Sequence, residues 1–315
     1  MSNPQASHAD VDIAIELLKE ITAETASDQI GENDLTVEGQ VGEGIHSCVR
    51  LGILRRGNNV SNVRQVAVKE FRHQHAVPPV SVLRAFRQEY RILARCRSQN
   101  GHQHVVELLG VTLEPRLIIL MEYFDRGSLA QCLQDEAAWG EMSIKQKASL
   151  GLKIAHGIAW LHKHDMIHRD IKSHNILISG DLTTPSPTVK IGDLGSAVVH
   201  QQHDSLLQEE VGSSGYTAPE IFTRHGYDSK VDVWSFGIVL WELASSCLKD
   251  RINPFMGMAG EEFVTKVQDG CRPKLAHPHQ IWFGSIVEKC WRFDPSQRPC
   301  MNEVIKQLEK ISDEL

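Results

Sequence analysis

The stretch His168-Arg169-Asp170-Ile171-Lys172-Ser173-His174-Asn175, with Asp193-Leu194-Gly195 downstream, is the most informative part of this chain. Phosphoryl transfer needs one carboxylate to orient an acceptor hydroxyl and oxygen ligands to hold a metal ion on the phosphates. Asp170, Asn175 and Asp193 supply groups of these kinds. The stretch therefore predicts a site that acts on a nucleoside triphosphate and its magnesium ion.

The pattern H-R-D-x-K-x-x-N with a later D-x-G resembles the catalytic core of eukaryotic protein kinases. This resemblance implies an α+β, two-lobed protein-kinase fold, with a small antiparallel β-rich N-lobe that carries one key helix and a large, mainly α-helical C-lobe. The change from short β-branched runs to long helical periodicities near Gly127 agrees with it. The predicted boundaries are 1–34 for an N-terminal extension, 35–121 for the N-lobe, 122–127 for the hinge and 128–315 for the C-lobe.

The composition is that of a globular protein, with 41% hydrophobic and 23% charged residues. A net charge of -7 argues against nucleic acid or an anionic membrane as the main partner. The seven cysteines are odd in number and include no C-x-x-C pair, so we expect free thiols in a reducing compartment. The longest apolar run, Val231 to Ala244, is interrupted by Asp232 and Glu242, and no early segment resembles a signal peptide. We therefore expect a cytoplasmic protein.

The first 34 residues contain one predicted helix, with Ser7 as its N-cap and its last turn at Ala23. Its apolar stripe consists of Val11, Ala14, Ile15, Leu18 and Ile21. Two interpretations stay open: the helix packs on its own lobe, or it docks a regulatory partner.

The segment from Val41 to Val49 resembles the kinase glycine-rich loop, and Lys69 follows on the next predicted strand. Glycines there allow backbone N–H groups to approach phosphate oxygens. Ser47 replaces the third glycine and His46 replaces the usual aromatic residue, so we expect a penalty of at most about 1 to 2 kcal/mol if position 47 is left-handed. Cys48 is either a reactive thiol near the nucleotide or a buried, inert one.

The resemblance also implies a set of nucleotide-binding residues along the chain. Met121 would be the gatekeeper, and Glu122 and Phe124 would present backbone groups to adenine. The full predicted set is Val41, Gly42, Glu43, Gly44, Val49, Ala67, Lys69, Met121, Glu122, Phe124 and Leu177.

The predicted helix from Val82 to Arg95 places Glu89 on the apolar face marked by Phe86 and Leu93. A carboxylate on that face is costly unless it is paired, so Glu89 is predicted to form an ion pair with Lys69. The opposite face forms a basic stripe that would receive a phosphorylated or acidic segment or would simply be solvated. It consists of Arg84, Arg87, Arg91 and Arg95.

In the family, the residue at Asp170 accepts the proton of the substrate hydroxyl, and those at Asn175 and Asp193 hold magnesium. A lysine at position 172 is typical of Ser/Thr kinases. Ser213 stands where such kinases have a hydroxyl that links Asp170 to Lys172.

By the same resemblance, Arg169 beside Asp170 implies that a phosphate between Ser196 and Thr217 could order this stretch, the activation segment. Ser205 is the preferred acceptor, with Ser213 and Ser214 as the other two candidates, although Glu209 or Glu210 could supply the charge without modification. Leu194 replaces the usual Phe of the D-x-G motif. By family position it would form an apolar spine with Leu93, Leu108 and His168, anchored by Asp232.

Ala218-Pro219-Glu220 and Arg298 complete the resemblance, and Glu220 is predicted to pair with Arg298. These features favour a protein kinase over a small-molecule kinase of related fold. The tyrosine-kinase-like group of Ser/Thr kinases is the one most resembled by the passages Val239-Leu240-Trp241-Glu242-Leu243 and Cys271-Arg272-Pro273. The H-x-H pairs lack further ligands at useful spacing, so we reject a zinc site. The hypothesis is a Ser/Thr protein kinase that uses ATP and Mg²⁺ on protein substrates. The alternatives are a pseudokinase scaffold and a non-protein phosphotransferase.

Overall fold

A computed structural model describes residues 8–43, 47–55, 63–73, 77–182, 184, 187–201, 204–223, 225–245, 251–258, 260–275 and 278–314. The chain divides into two compact units. Unit 1 comprises Met1–Gly101 and Val106–Tyr123, and unit 2 comprises His102–Val105 and Phe124–Leu315.

Unit 1 is built on a five-stranded antiparallel sheet in the order β1-β2-β3-β5-β4. Its strands are β1 (Leu35–Glu43), β2 (Ser47–Arg55), β3 (Val63–Phe71), β4 (Leu108–Thr112) and β5 (Ile118–Glu122). Alternation along β3 buries Val66 and Val68 in an apolar cluster with Leu54 and Leu120. This packing fixes the register of the strand that carries Lys69.

Two helices belong to unit 1: α1 (His8–Thr25) and α2 (Val80–Ser98). The inner face of α2 buries Leu83, Phe86, Leu93 and the carboxylate residue Glu89. The helix is therefore amphipathic as predicted, although it extends beyond the predicted bounds at both ends.

Helix α1 packs on α2, so the first of its two interpretations describes the structure. Its buried face is narrower than the predicted stripe, because Ala14 and Ile21 are buried whereas Ile15 is 39% exposed. After the helix, Gln29 forms a parallel bridge with Val111 of the edge strand β4. The proposed N-cap, Ser7, lies outside the described residues.

Unit 2 is mainly helical, and its packing is dominated by α5 against α9 and α6 against α8. Its helices are α3 (Leu129–Gln134), α4 (Glu136–Glu141), α5 (Ile144–Lys163), α6 (Lys230–Ala244), α7 (Gly260–Gln268), α8 (Pro278–Cys290) and α9 (Met301–Glu314). Two short antiparallel pairs accompany them: β6 (Met166–Ile167) with β9 (Val198–Val199), and β7 (Ile176–Ser179) with β8 (Thr188–Ile191). A sheet first and helices after it confirm the predicted α+β class.

Helix α6 is buried along almost its whole length, from Val231 to Ala244. In a globular unit, an apolar helix of this kind forms the centre of the core. No helix in the described ranges combines the length and the apolar composition that crossing a membrane requires.

Candidate active site

Unit 1 contains a buried ion pair between β3 and α2. The Nζ atom of Lys69 donates to Oε1 and Oε2 of Glu89 at 2.8 and 2.7 Å, and the two residues are 9% and 2% exposed. A buried carboxylate is tolerated when a cation and hydrogen bonds satisfy it, and Lys69 provides both. The pair fixes the direction of the Lys69 ammonium group.

Lys69 is positioned by three strands of the sheet and by one aromatic ring. In the sheet register Lys69 lies opposite Val49 on β2 and Ile119 on β5. Its Nζ atom also lies 5.8 Å from the centroid of the Phe71 ring, within the range of a cation–π contact.

The glycine-rich segment is only partly described. Gly44 and His46 lie outside the described residues. Ser47 begins β2 opposite Phe71, and it is not among the described residues with positive φ, so the left-handed penalty does not apply there. Cys48 is fully buried, which favours the inert alternative for that thiol.

Most of the other predicted nucleotide-binding residues of unit 1 lie on its strands. Val41 is 45% exposed on β1, near Gly42 in the same strand, and Glu43 pairs with Arg72 at 2.7 Å on the surface. Ala67 of β3 lies opposite Met121 of β5.

The end of β5 is held by a side-chain contact. Glu122 Oε1 accepts a hydrogen bond from the backbone N–H of Glu107 at 2.8 Å. In unit 2, Phe124 is 6% exposed, and Leu177 lies on β7 opposite Lys190.

A closed hydrogen-bond network surrounds Asp170 in unit 2. Lys172 Nζ donates to Asp170 Oδ2 and to Ser213 Oγ, both at 2.7 Å, while Ser213 Oγ donates to Asp170 Oδ1 at 2.8 Å. Asn175 Nδ2 donates to the backbone oxygen and to Oδ2 of Asp170, at 2.9 and 3.1 Å. Three different residues thus orient one carboxylate.

The backbone before Asp170 is fixed by Asp232, which is fully buried in α6. The N–H groups of His168 and Arg169 donate to Oδ2 and Oδ1 of Asp232 at 2.9 and 2.8 Å. His162 Nε2 lies 2.8 Å from Oδ2. Burial alone would raise the pKa of Asp232, but the contacts with His162 and His168 outweigh it and the pKa is lowered.

The Arg169 side chain is 6% exposed and reaches the activation segment. Its Nη1 donates to Glu209 Oε2 at 2.8 Å, and its Nε donates to the backbone oxygen of Ser196 at 2.7 Å. The Tyr227 hydroxyl accepts from Nη1 at 3.2 Å and donates to the Glu209 backbone oxygen at 2.8 Å. The negative charge that pairs with Arg169 is therefore the carboxylate of Glu209, which the sequence offers as an alternative to a phosphate.

Asp193 follows β8 with φ 54°, in the left-handed region. Its neighbour Gly192 donates its N–H to the backbone oxygen of Asn175 at 2.8 Å, and Gly192 O lies 3.0 Å from Nε2 of His168. Leu194 is fully buried, so it fills an apolar position as a Phe would.

Two further side-chain arrangements hold the activation segment of unit 2. Arg298 Nη2 donates to Glu220 Oε2 at 2.8 Å, in the pairing that the sequence predicts. Sequence reasoning missed the second: the Tyr216 hydroxyl donates to Glu242 Oε1 at 2.6 Å and lies 2.9 Å from Ser173 Oγ. Burial raises the pKa of Glu242 to about 7.

Comparisons with known proteins agree with this geometry. A family model described as protein tyrosine and serine/threonine kinase matches residues 35–308. Serine/threonine-protein kinase STY17 of Arabidopsis thaliana is 31% identical over 289 residues, which are 91% of this chain and 46% of that protein. Mitogen-activated protein kinase kinase kinase 7 of Bos taurus is 31% identical over 289 residues, 90% of this chain and 45% of that protein.

A third relative, serine/threonine/tyrosine-protein kinase HT1 of Arabidopsis thaliana, is 29% identical over 297 residues, 89% of this chain and 67% of that protein. The chain thus spans less than half of the length of the first two relatives. The family match covers the sheet of unit 1, the Asp170 loop and the helices up to Leu308. The resemblance seen in the sequence is therefore confirmed, and the chain belongs to the protein tyrosine and serine/threonine kinase family.

Proposed function

We propose that this chain transfers the γ-phosphoryl group of ATP to Ser/Thr hydroxyls of protein substrates. The observation that carries the proposal is the network in which Lys172 and Ser213 each bond to a different oxygen of Asp170. Such preorganisation is what phosphoryl transfer demands of a protein, because the reaction is catalysed mainly by positioning and charge.

In the proposed reaction the acceptor oxygen forms a bond to the γ-phosphorus while the bond to the bridging oxygen of ADP breaks. Asp170 receives the proton of the acceptor hydroxyl. The Lys172 ammonium group, which already contacts Asp170 and Ser213, offsets negative charge on the transferring group. Lys69, oriented by Glu89, binds the α and β phosphates.

Magnesium is the expected metal, because Asn175 and Asp193 offer the hard oxygen ligands that it prefers. The Asn175 amide nitrogen is committed to Asp170, which leaves its carbonyl oxygen as the ligating atom. When bound, the ion would neutralise phosphate charge. Among the described residues, no three His, Cys, Asp or Glu side chains cluster as a metal site, and two protein ligands suffice where phosphates and water complete the coordination.

Two observations support Ser/Thr as the acceptor. Lys172 contacts Ser213, as the resemblance to Ser/Thr kinases implies. The relatives STY17 and HT1 are named as a serine/threonine and a serine/threonine/tyrosine kinase. We further propose the boundaries 35–121, 122–127 and 128–315 for the lobes and hinge, and a cytoplasmic location.

The pseudokinase alternative rested on His46, Ser47 and Leu194. Ser47 lies in an ordinary strand and Leu194 is fully buried, and both observations favour a kinase over a scaffold. A non-protein phosphotransferase is disfavoured because the matching family acts on proteins.

The test compares wild type with Asp170→Asn and Asp193→Asn, using Mg-ATP, a generic basic protein and phosphoamino-acid analysis. We expect phosphoserine or phosphothreonine from wild type. Asp170→Asn should lower kcat about 10²- to 10⁴-fold and keep thermal stabilisation by Mg-ATP. Asp193→Asn should lose both turnover and the thermal stabilisation by Mg-ATP. Wild-type turnover in Asp170→Asn, or phosphotyrosine as the main product, would contradict the proposal.

A further inference from the structure

The residues before the family-matched region make ordered contacts with the helix that carries Glu89. Glu24, in the last turn of α1, accepts hydrogen bonds from Nε of Arg87 at 3.0 and 3.1 Å and from Nε of Arg91 at 3.0 Å. Glu20 Oε2 lies 2.8 Å from Nη1 of Arg87. An acidic segment of the same chain therefore covers part of the basic stripe of α2. Arg87 and Arg91 are the stripe residues that it contacts.

These contacts are strong for a surface pair. The hydrogen bonds from Arg87, followed by those from Arg91, lower the pKa of Glu24 to about 2 against the opposing effect of burial. The side chain of Glu24 is 27% exposed and that of Arg87 is 20% exposed, so solvent screens them less than fully exposed pairs. An arginine fork on a carboxylate also fixes orientation, which a single lysine contact would not do.

A second carboxylate anchors the same segment. Asp28 is 8% exposed; its Oδ2 accepts from the Tyr90 hydroxyl at 2.8 Å and from Arg97 Nη2 at 2.6 Å. Its backbone oxygen accepts from the N–H of Val111 at 2.9 Å. Ile30 packs so closely on Gly110 that a Cβ there would lie 2.4 Å from Ile30 Cγ1, so this glycine is needed for the approach.

A continuous set of ring contacts leads from this anchor to the ion pair. The Tyr90 and Phe86 rings stack at 6.5 Å, and Phe86 meets Phe71 edge-on at 5.4 Å. The Phe71 ring lies 5.8 Å from the Nζ atom of Lys69. Glu89 is the immediate neighbour of Tyr90 on α2. Any rotation or shift of α2 that separates Glu89 from Lys69 would therefore strain the contacts of Glu24 and Asp28.

We propose that Glu24 and Asp28 are positioning residues: the segment from α1 to Ile30 holds α2 in the orientation that pairs Glu89 with Lys69. Neither residue belongs to the proposed ATP, metal or substrate site, and both act through the Lys69–Glu89 pair. This inference rests on the proposed function for its effect on turnover, but its effect on the ion pair can be measured without turnover.

The experiment uses the full chain with Glu24→Gln, which removes one charge at constant size. Glu16→Gln is the matched control, because Glu16 lies on the same helix and its exposed carboxylate contacts Lys19 of that helix. Two readouts are compared: kcat with Mg-ATP and a basic protein, and the rate of Lys69 acylation by a lysine-reactive ester, followed by mass spectrometry.

Couplings carried through packed side chains of this kind change rates by about two- to thirtyfold. We expect Glu24→Gln to lower kcat within that range and to raise the rate of Lys69 acylation similarly, while Glu16→Gln changes neither. In a Glu89→Gln background Glu24→Gln should lower kcat less than about twofold, because residues that act through one contact are not additive.

An equal loss of kcat in both backgrounds, or unchanged Lys69 acylation, would overturn the inference. If Glu24→Gln fails to fold, Arg87→Gln tests the same contact from α2 with the same expected results. If wild type transfers no phosphate, the proposed function fails, and Lys69 acylation alone decides the inference.

Discussion

The Ser213 hydroxyl offers the sharpest test of how the network around Asp170 works. Its oxygen accepts a hydrogen bond from Lys172 at 2.7 Å and donates one to Asp170 at 2.8 Å. The Lys172 and Asp170 side chains are 20% and 11% exposed, so water replaces these bonds only in part. Ser213→Ala removes both contacts and leaves the Lys172–Asp170 contact in place.

The expected drop in kcat of Ser213→Ala can be worked out from the charged groups that its hydroxyl contacts. A hydrogen bond to a charged group contributes about 1.5 to 3 kcal/mol net. Two such bonds are lost, but Lys172 and Asn175 still contact Asp170, and a water molecule can enter the vacated space. We therefore take the loss of one bond as the effective cost, which is about a 10- to 150-fold drop in kcat. The KM for ATP should hold within about threefold, since the substitution leaves Lys69, the proposed phosphate-binding residue, untouched.

The assay is steady-state transfer from Mg-ATP to a basic protein, with Ser213→Thr and Ser214→Ala as controls. Ser213→Thr keeps the hydroxyl and should retain most of the activity. Ser214 contacts backbone atoms, among them the N–H of Gly257 at 2.8 Å, so its alanine variant should change kcat less than about threefold. A kcat that stays constant in Ser213→Ala while the KM for ATP rises would refute the positioning role.

Three other outcomes are expected. Glu209→Gln should lower kcat by up to about fivefold by weakening one of the contacts that hold Arg169, because the Glu209 side chain is 70% exposed, whereas Ser205→Ala should have little effect. Kinetics on both variants checks this, and the reverse order would restore a phosphate as the ordering charge. Ser47→Gly should change the KM for ATP less than about fivefold at constant kcat, because the strand position needs no left-handed backbone and glycine costs about 0.5 to 1 kcal/mol there. Burial raises the pKa of Glu242 to about 7, so the folded state holds this proton more tightly than the unfolded state. The free energy of unfolding therefore falls as the pH rises from about 4.5 to 7. Urea unfolding of Glu242→Gln should accordingly show a gain over wild type that is larger at pH 8 than at pH 5, and an equal difference at both pH values would count against the raised pKa.

The Lys69–Glu89 pair was predictable because apolar periodicity places a charged residue, Glu89, on the buried face of its helix. Phe86 and Leu93 define an inward face, and a carboxylate on that face requires a cation. The start of α5 also has a sequence signal, one that apolar periodicity alone does not show. Ser143 and Gln146 form a capping box, and α5 begins at Ile144, directly after Ser143.

The contacts of α1 with α2 were not predictable in the same way. Glu24 and Arg87 are 63 residues apart, and surface carboxylates and guanidinium groups have no period that selects partners. The apolar stripe of α1 was misleading for a related reason. Ile15 has the right spacing but remains 39% exposed, because apolar spacing alone does not determine which residues of a helix meet its neighbour.

In each unit a buried carboxylate on a helix orients a neighbouring group: Asp232 of α6 in unit 2 and Glu89 of α2 in unit 1. Arg169 has φ 67°, a left-handed conformation that costs about 1 to 2 kcal/mol for a residue with a side chain. The hydrogen bonds from the N–H groups of His168 and Arg169 to Asp232 are each worth about 1.5 to 3 kcal/mol, so they outweigh that cost and hold the backbone that leads into Asp170. Glu89 does the equivalent for Lys69. In both units a carboxylate that is expensive to bury fixes the direction of the group beside it, and positioning of this kind is what the proposed phosphoryl transfer requires.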